Sequence, residues 1–130
     1  MANYMAATRT NYFHVKNVDV FKEIVSQIRD DMEVFTCRTA DGDMMYGFGG
    51  YGCICGFGED GEDVDEVYNA LRDHVVMPEE AIVIEEIGCE KLRYLTAYAV
   101  VITAKNVDFI DLREEVEKHL PTEFPLCDEY

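Results

Sequence analysis

Apolar residues recur along this chain with two different periods. Phe21, Ile24, Val25 and Ile28 stand at i, i+3, i+4 and i+7, which predicts an amphipathic helix over 18–29 with Asn17 as its N-cap. Val64, Val67, Tyr68, Leu71 and Val75 predict a second helix. It starts at Asp63, with Glu66 three residues on, a capping box in which Asp replaces Ser or Thr. Asp111 and Glu114 repeat that start for a third helix ending near Leu120-Pro121.

The other period is two. Arg9 to Val15 reads as a first strand after a short tail, with Phe13 and Val15 on one face. Segments 33–38 and 44–48 flank Asp41-Gly42, a tight-turn pair, and read as a hairpin. Residues 81–87 form a strand, Gly88-Cys89-Glu90 a turn, and Leu92 to Thr103 a long strand. Both faces of that long strand are apolar, as expected of a central strand. Residues 107–110 give a short last strand. Gly47 to Gly58 holds six glycines in twelve residues, alternating with aromatic and thiol side chains. Gly47-x-Gly49-x-x-Gly52 matches a dinucleotide-binding spacing, yet another strand, not a helix, is expected after it. The glycines fit bulges, bends or close backbone approach. The order β-α-β-β-β-α-β-β-(β)-α predicts a single α+β domain with a mainly antiparallel sheet over residues 1–120. Residues 121–130 read as an acidic C-terminal tail.

Composition narrows the function classes. The chain has 130 residues, enough for one domain. Its 48% hydrophobic content, with seven Phe and eight Tyr, excludes a wholly disordered acidic chain. No apolar run reaches the ~20 residues of a membrane span. The N-terminus lacks the basic region of a secretory signal, so a cytoplasmic protein is expected. Five cysteines, Cys37, Cys53, Cys55, Cys89 and Cys127, are then expected as reduced thiols. Cys53-x-Cys55 on a strand would share a face, but no second well-spaced ligand pair exists. Neither a metal nor another cofactor is expected.

Charge changes the picture most. Lys and Arg number 11 against 27 Asp and Glu, a net charge of −16. Direct nucleic-acid binding needs clustered bases, which are missing. Between Arg38 and Arg72 there is no base at all, while Asp41, Asp43, Glu59, Asp60, Glu62, Asp63, Asp65 and Glu66 fall in that interval. A single-sign block of this kind makes a coherent surface field. Acids at a helix start also stabilise it through the dipole. A domain of this length is roughly 36 Å across, and duplex of that length carries about 21 phosphates. The carboxylate count is of that order, so the surface could compete for a basic nucleic-acid groove.

Catalytic constellations are thin. His14, His74 and His119 are scattered, Ser26 is the sole serine, and Glu85-Glu86 alternate sides on a strand. The acidic run lacks the spacing of a calcium loop. No enzyme is expected, and the one enzymatic alternative is action on a small molecule at the Gly-rich loop.

Three segments carry a resemblance: Met5-Ala6-Ala7-Thr8-Arg9-Thr10-Asn11-Tyr12-Phe13, Gly47-Phe48-Gly49-x-Tyr51 and Glu90-Lys91-Leu92-Arg93-Tyr94. Over residues 1 to about 115 the chain resembles a family of small acidic proteins encoded on conjugative and related mobile elements of gut Firmicutes. The genetic setting of that family is similar to that of anti-CRISPR and anti-restriction genes. The resemblance implies a host-defence inhibitor, with a CRISPR effector favoured over a restriction enzyme as partner. Cys53 and Cys55 depart from the family's pattern. Among the motif residues, Tyr12, Tyr51, Arg93 and Tyr94 make a candidate contact patch, since Tyr and Arg are enriched at binding hot spots. The plainer role for Arg9, Lys91 and Arg93 is charge relief, for instance Arg9 against Glu90. A homodimer, and an assembly role within the mobile element, stay open.

Overall fold

The computed structural model describes residues 5–54, 56–58, 63–90 and 94–121, Tyr94 by its backbone alone. The chain runs β1 (Met5–Thr10), α1 (Val18–Ile28), β2 (Glu33–Arg38), β3 (Met44–Tyr51), α2 (Val64–His74), β4 (Ile82–Glu90), β5 (Tyr94–Ile102), β6 (Val107–Asp111) and α3 (Leu112–Glu117). The six strands form one sheet in the order β2-β3-β1-β4-β5-β6. Every neighbouring pair is antiparallel. The fold is α+β, as the alternating periods predict.

Each helix starts where its cap stands. Asn17 accepts a hydrogen bond from the Val20 amide at 3.1 Å. Asp63 accepts from the Asp65 amide at 3.0 Å, and Asp111 from the Arg113 amide at 2.8 Å. Each satisfies an amide with no partner inside its helix. The β2–β3 hairpin closes at Gly42, whose φ of 90° suits a residue without a Cβ.

The two long helices pack on one face of the sheet. Phe21, Ile24, Val25 and Ile28 of α1 join Val67, Tyr68 and Leu71 of α2 in one core with Phe48, Ile82, Ile84, Val100 and Ile102. Alternation along β4 buries Ile82, Ile84 and Glu86 and turns Val83, Glu85 and Ile87 to the other side. Phe13 meets Phe21 edge-on, with ring centroids 5.7 Å apart.

Several boundaries differ from the sequence reading. The first strand is Met5–Thr10, not 9–15, and residues 5–9 are not tail. Phe13 and Val15 make only isolated bridges, to Tyr46 and Val76. Among the described residues no strand lies between β3 and α2. Gly52 at φ 104° and Gly58 at φ 79° turn the chain out of extended geometry. Gly88, Cys89 and Glu90 continue β4 instead of turning, because they pair with Thr96, Leu95 and Tyr94. The centre of the sheet is β1 and β4; β5 is interior but lies next to the edge strand. The helix-facing side of β5 is buried at Val100 and Ile102. Tyr98 is only half-buried, where its ring stacks on the exposed Phe109.

Candidate functional site

The acidic block divides into two groups. Asp41 and Asp43 sit in the β2–β3 hairpin, and Asp63, Asp65 and Glu66 sit at the start of α2; all five are exposed. The two groups lie at different ends of α2. Its C-terminal end meets the Val15–Val76 bridge and the Val75 carbonyl accepts from the Lys16 amide. There Asp43 lies 4.0 Å from the His14 ring, whose Nδ1 is 2.8 Å from Glu80. The other group is one helix away, about 16 Å at 1.5 Å per residue. None of the five pairs with a Lys or Arg among the described residues. Glu59, Asp60, Glu62 and Arg93 lie outside the described residues, as does the Tyr94 side chain.

Tyr12, through its contact with Arg9, and Tyr51, opposite Ala7, belong to the sheet face turned away from α1 and α2. Arg9 donates to the Tyr12 hydroxyl at 3.3 Å and lays its guanidinium over Phe35, 4.4 Å from the ring centroid. This cation–π contact replaces the expected approach to Glu90, since the register sets Arg9 opposite Glu85. β1 does lie beside β4, five positions out of step for that pair. Gly49 makes room for the stack: a Cβ there would lie 3.2 Å from the Phe35 ring and 2.6 Å from the Thr8 carbonyl oxygen.

The Gly-rich segment is held by Arg29, which donates to the carbonyls of Tyr51 and Cys53. Its Nη1 would lie 2.7 Å from a Cβ on Gly52. Beneath the segment is a carboxylate that function-oriented reading missed. Glu86 is 3% exposed and accepts from the Ile54 amide at 3.4 Å. Thr8 hydroxyl lies 3.4 Å from it and donates to the Gly52 carbonyl at 2.7 Å. Burial pushes the Tyr98 phenol well above its ordinary range, and its hydrogen bond to Glu86 adds to the shift. The signal was present: Glu86 continues the buried Ile82–Ile84 alternation. This cluster ties the turn after β3 to β1, β4 and β5, a positioning role.

The larger omission is an apolar face. Two cross-strand rows, Tyr51-Ala7-Ile87-Ala97 and Met5-Cys89-Leu95, lie on the side opposite the two long helices. Tyr51 is 86% exposed, Met5 70%, Ile87 61% and Leu95 59%. With Leu112 and Val116 they border an open cleft of about 990 Å³. Apolarity of both faces of β5 was readable, but not that one face stays bare.

No protein-family model, no curated protein and no solved structure matches this chain. No helix among the described residues is long and apolar enough to cross a membrane. Nor do the described residues hold a group of three His, Cys, Asp or Glu side chains able to bind a metal ion. Cys37 is exposed and Cys53 and Cys89 are partly exposed, and none of the three is in a disulfide.

Proposed function

We propose that this protein is a non-enzymatic inhibitor of a nucleic-acid-handling host-defence protein, a CRISPR effector in preference to a restriction enzyme. It acts in the cytoplasm by presenting carboxylates to a basic groove that otherwise receives DNA or RNA. The observation that carries the reading is the unneutralised acid. The chain bears a charge of −16, and Asp41, Asp43, Asp63, Asp65 and Glu66 all face solvent. The two groups stand about one helix length apart, ~16 Å, a span over which a duplex carries roughly nine charges at one per ~1.7 Å. The resemblance to mobile-element proteins supplies the class of partner.

The test is co-purification from cells that carry a defence system, followed by competition with nucleic acid. Recovery of an effector, displaced by guide or target nucleic acid, is the expected result. An effector complex that forms equally well on the nucleic-acid-loaded protein rules out groove occlusion. The bare apolar face favours a second reading, an assembly module of the mobile element itself. Recovery of element-encoded proteins alone selects it.

A further inference from the structure

We infer that the bare sheet face pairs with the same face of a second copy of this chain, giving a two-fold dimer. The inference stands apart from the inhibitor reading, since the surface is on the other side of the sheet from α1 and α2.

Area is the first argument. Tyr51, Ile87, Leu95 and Met5 protrude from two adjoining rows floored by small residues, and Leu112 and Val116 of α3 border them. At roughly 100 Å² or more of exposed surface for each large side chain, the patch offers on the order of 600–800 Å². A standard interface takes about 800 Å² from each partner, and an isolated chain rarely leaves so much contiguous apolar surface bare.

Charge chooses the occupant. A basic nucleic-acid-binding partner is drawn to the acid at the hairpin and α2, not to these rows, which carry no charged side chain. One row along, Arg9 and Glu85 stand opposite each other on the same face. A cation beside an anion at one margin is self-complementary under a two-fold axis, because each can meet its opposite on the other copy. Face-to-face pairing also keeps both sets of acids outward. The like charge of two copies, −16 each, opposes association. Screening that repulsion must therefore strengthen the dimer, the reverse of what salt does to an acid-to-base contact.

Sedimentation equilibrium at tens of micromolar protein, in low and high salt, reads this directly. The mass should rise from 14.9 kDa toward twice that value as salt increases. Ile87→Glu combined with Leu95→Glu should hold the monomer mass in every salt. Both side chains are exposed, so circular dichroism should show the fold intact; Tyr51→Ser provides a milder second variant and should weaken the dimer at least tenfold. A wild-type chain that stays at 14.9 kDa in high salt overturns the inference. So does a dimer that survives both variants, or one that dissociates as salt is added. If the wild type is monomeric and the patch variants lose only the effector, the face belongs to that partner and the dimer is wrong.

Discussion

Glycine is the residue whose role here divides most cleanly by physics. Gly42 has φ 90° and open space around a Cβ, so Gly42→Ala meets backbone strain alone. That strain is worth about 1–2 kcal/mol. Gly49 has ordinary backbone angles but would set a Cβ 2.6 Å from the Thr8 carbonyl oxygen, in the paired strand. Backbone of a central strand cannot give way, so Gly49→Ala should cost ~3 kcal/mol, more than Gly42→Ala. Urea midpoints of the two variants check the order. The sequence shows that glycines alternate here but not which need space and which need a left-handed turn, because that depends on what the fold lays against them. Tyr98 gives a second expectation at this scale. Its pKa in the folded chain lies above that of the unfolded chain. The stability it contributes is full below the unfolded value, about pH 10, and is lost as pH rises beyond it. Its phenol should therefore resist ionisation in an ultraviolet titration while the fold persists. Tyr98→Phe should flatten the alkaline fall in stability; an unchanged slope would assign the fall to other groups.

At the scale of elements, caps were the most legible feature. Asn17, Asp63 and Asp111 are short-range signals, complete within four residues, and each caps its helix, although Asp63 and Asp111 accept from the second helical amide and not from the third that a capping box uses. Strand limits were less legible because pairing, not local pattern, decides them. Ala6 and Ala7 have weak β preference, yet β1 is flanked by β3 and β4 and every residue from Met5 to Thr10 has a partner in β4. Gly88 looks like a turn until the register pairs it with Thr96. The cap of α2 bears on function as well as stability. Asp63→Ala should destabilise by about 1 kcal/mol through the lost hydrogen bond to the Asp65 amide. Asp63→Asn keeps an acceptor and removes only the charge, so it should retain most of the stability. Equal losses in thermal melts of the two variants would mean that the charge at the helix start, not the hydrogen bond, is what stabilises α2.

Charge at the scale of the whole molecule was plain in the sequence, but its layout was not. A run contiguous in sequence from Asp41 to Glu66 is interrupted in space by β3 and by the length of α2. The bare face was illegible for a related reason: which side of β4 and β5 the helices cover is set by the chain's path. The layout makes the functional reading testable by halves. Asp41→Lys with Asp43→Lys alters the hairpin group; Asp65→Lys with Glu66→Lys alters the α2 group. Each reversal adds two charges, so each pair moves the net charge from −16 to −12. A difference in effect between the pairs is then a matter of position. If the protein lies along a basic groove, both pairs should slow association with the effector, and the quadruple variant should slow it further, by tenfold or more. The wild-type rate should fall with salt, since steering is screened beyond ~8–10 Å at moderate ionic strength. The α2 pair sits at a helix start, where reversal costs up to ~1 kcal/mol per site through the dipole, so melting curves must show each variant folded at the assay temperature. Loss from one pair alone would place a single acidic end in the groove. Association insensitive to salt and to both pairs would move the contact to the Tyr12 and Tyr51 face, where a bound effector and a second copy of this chain would exclude each other.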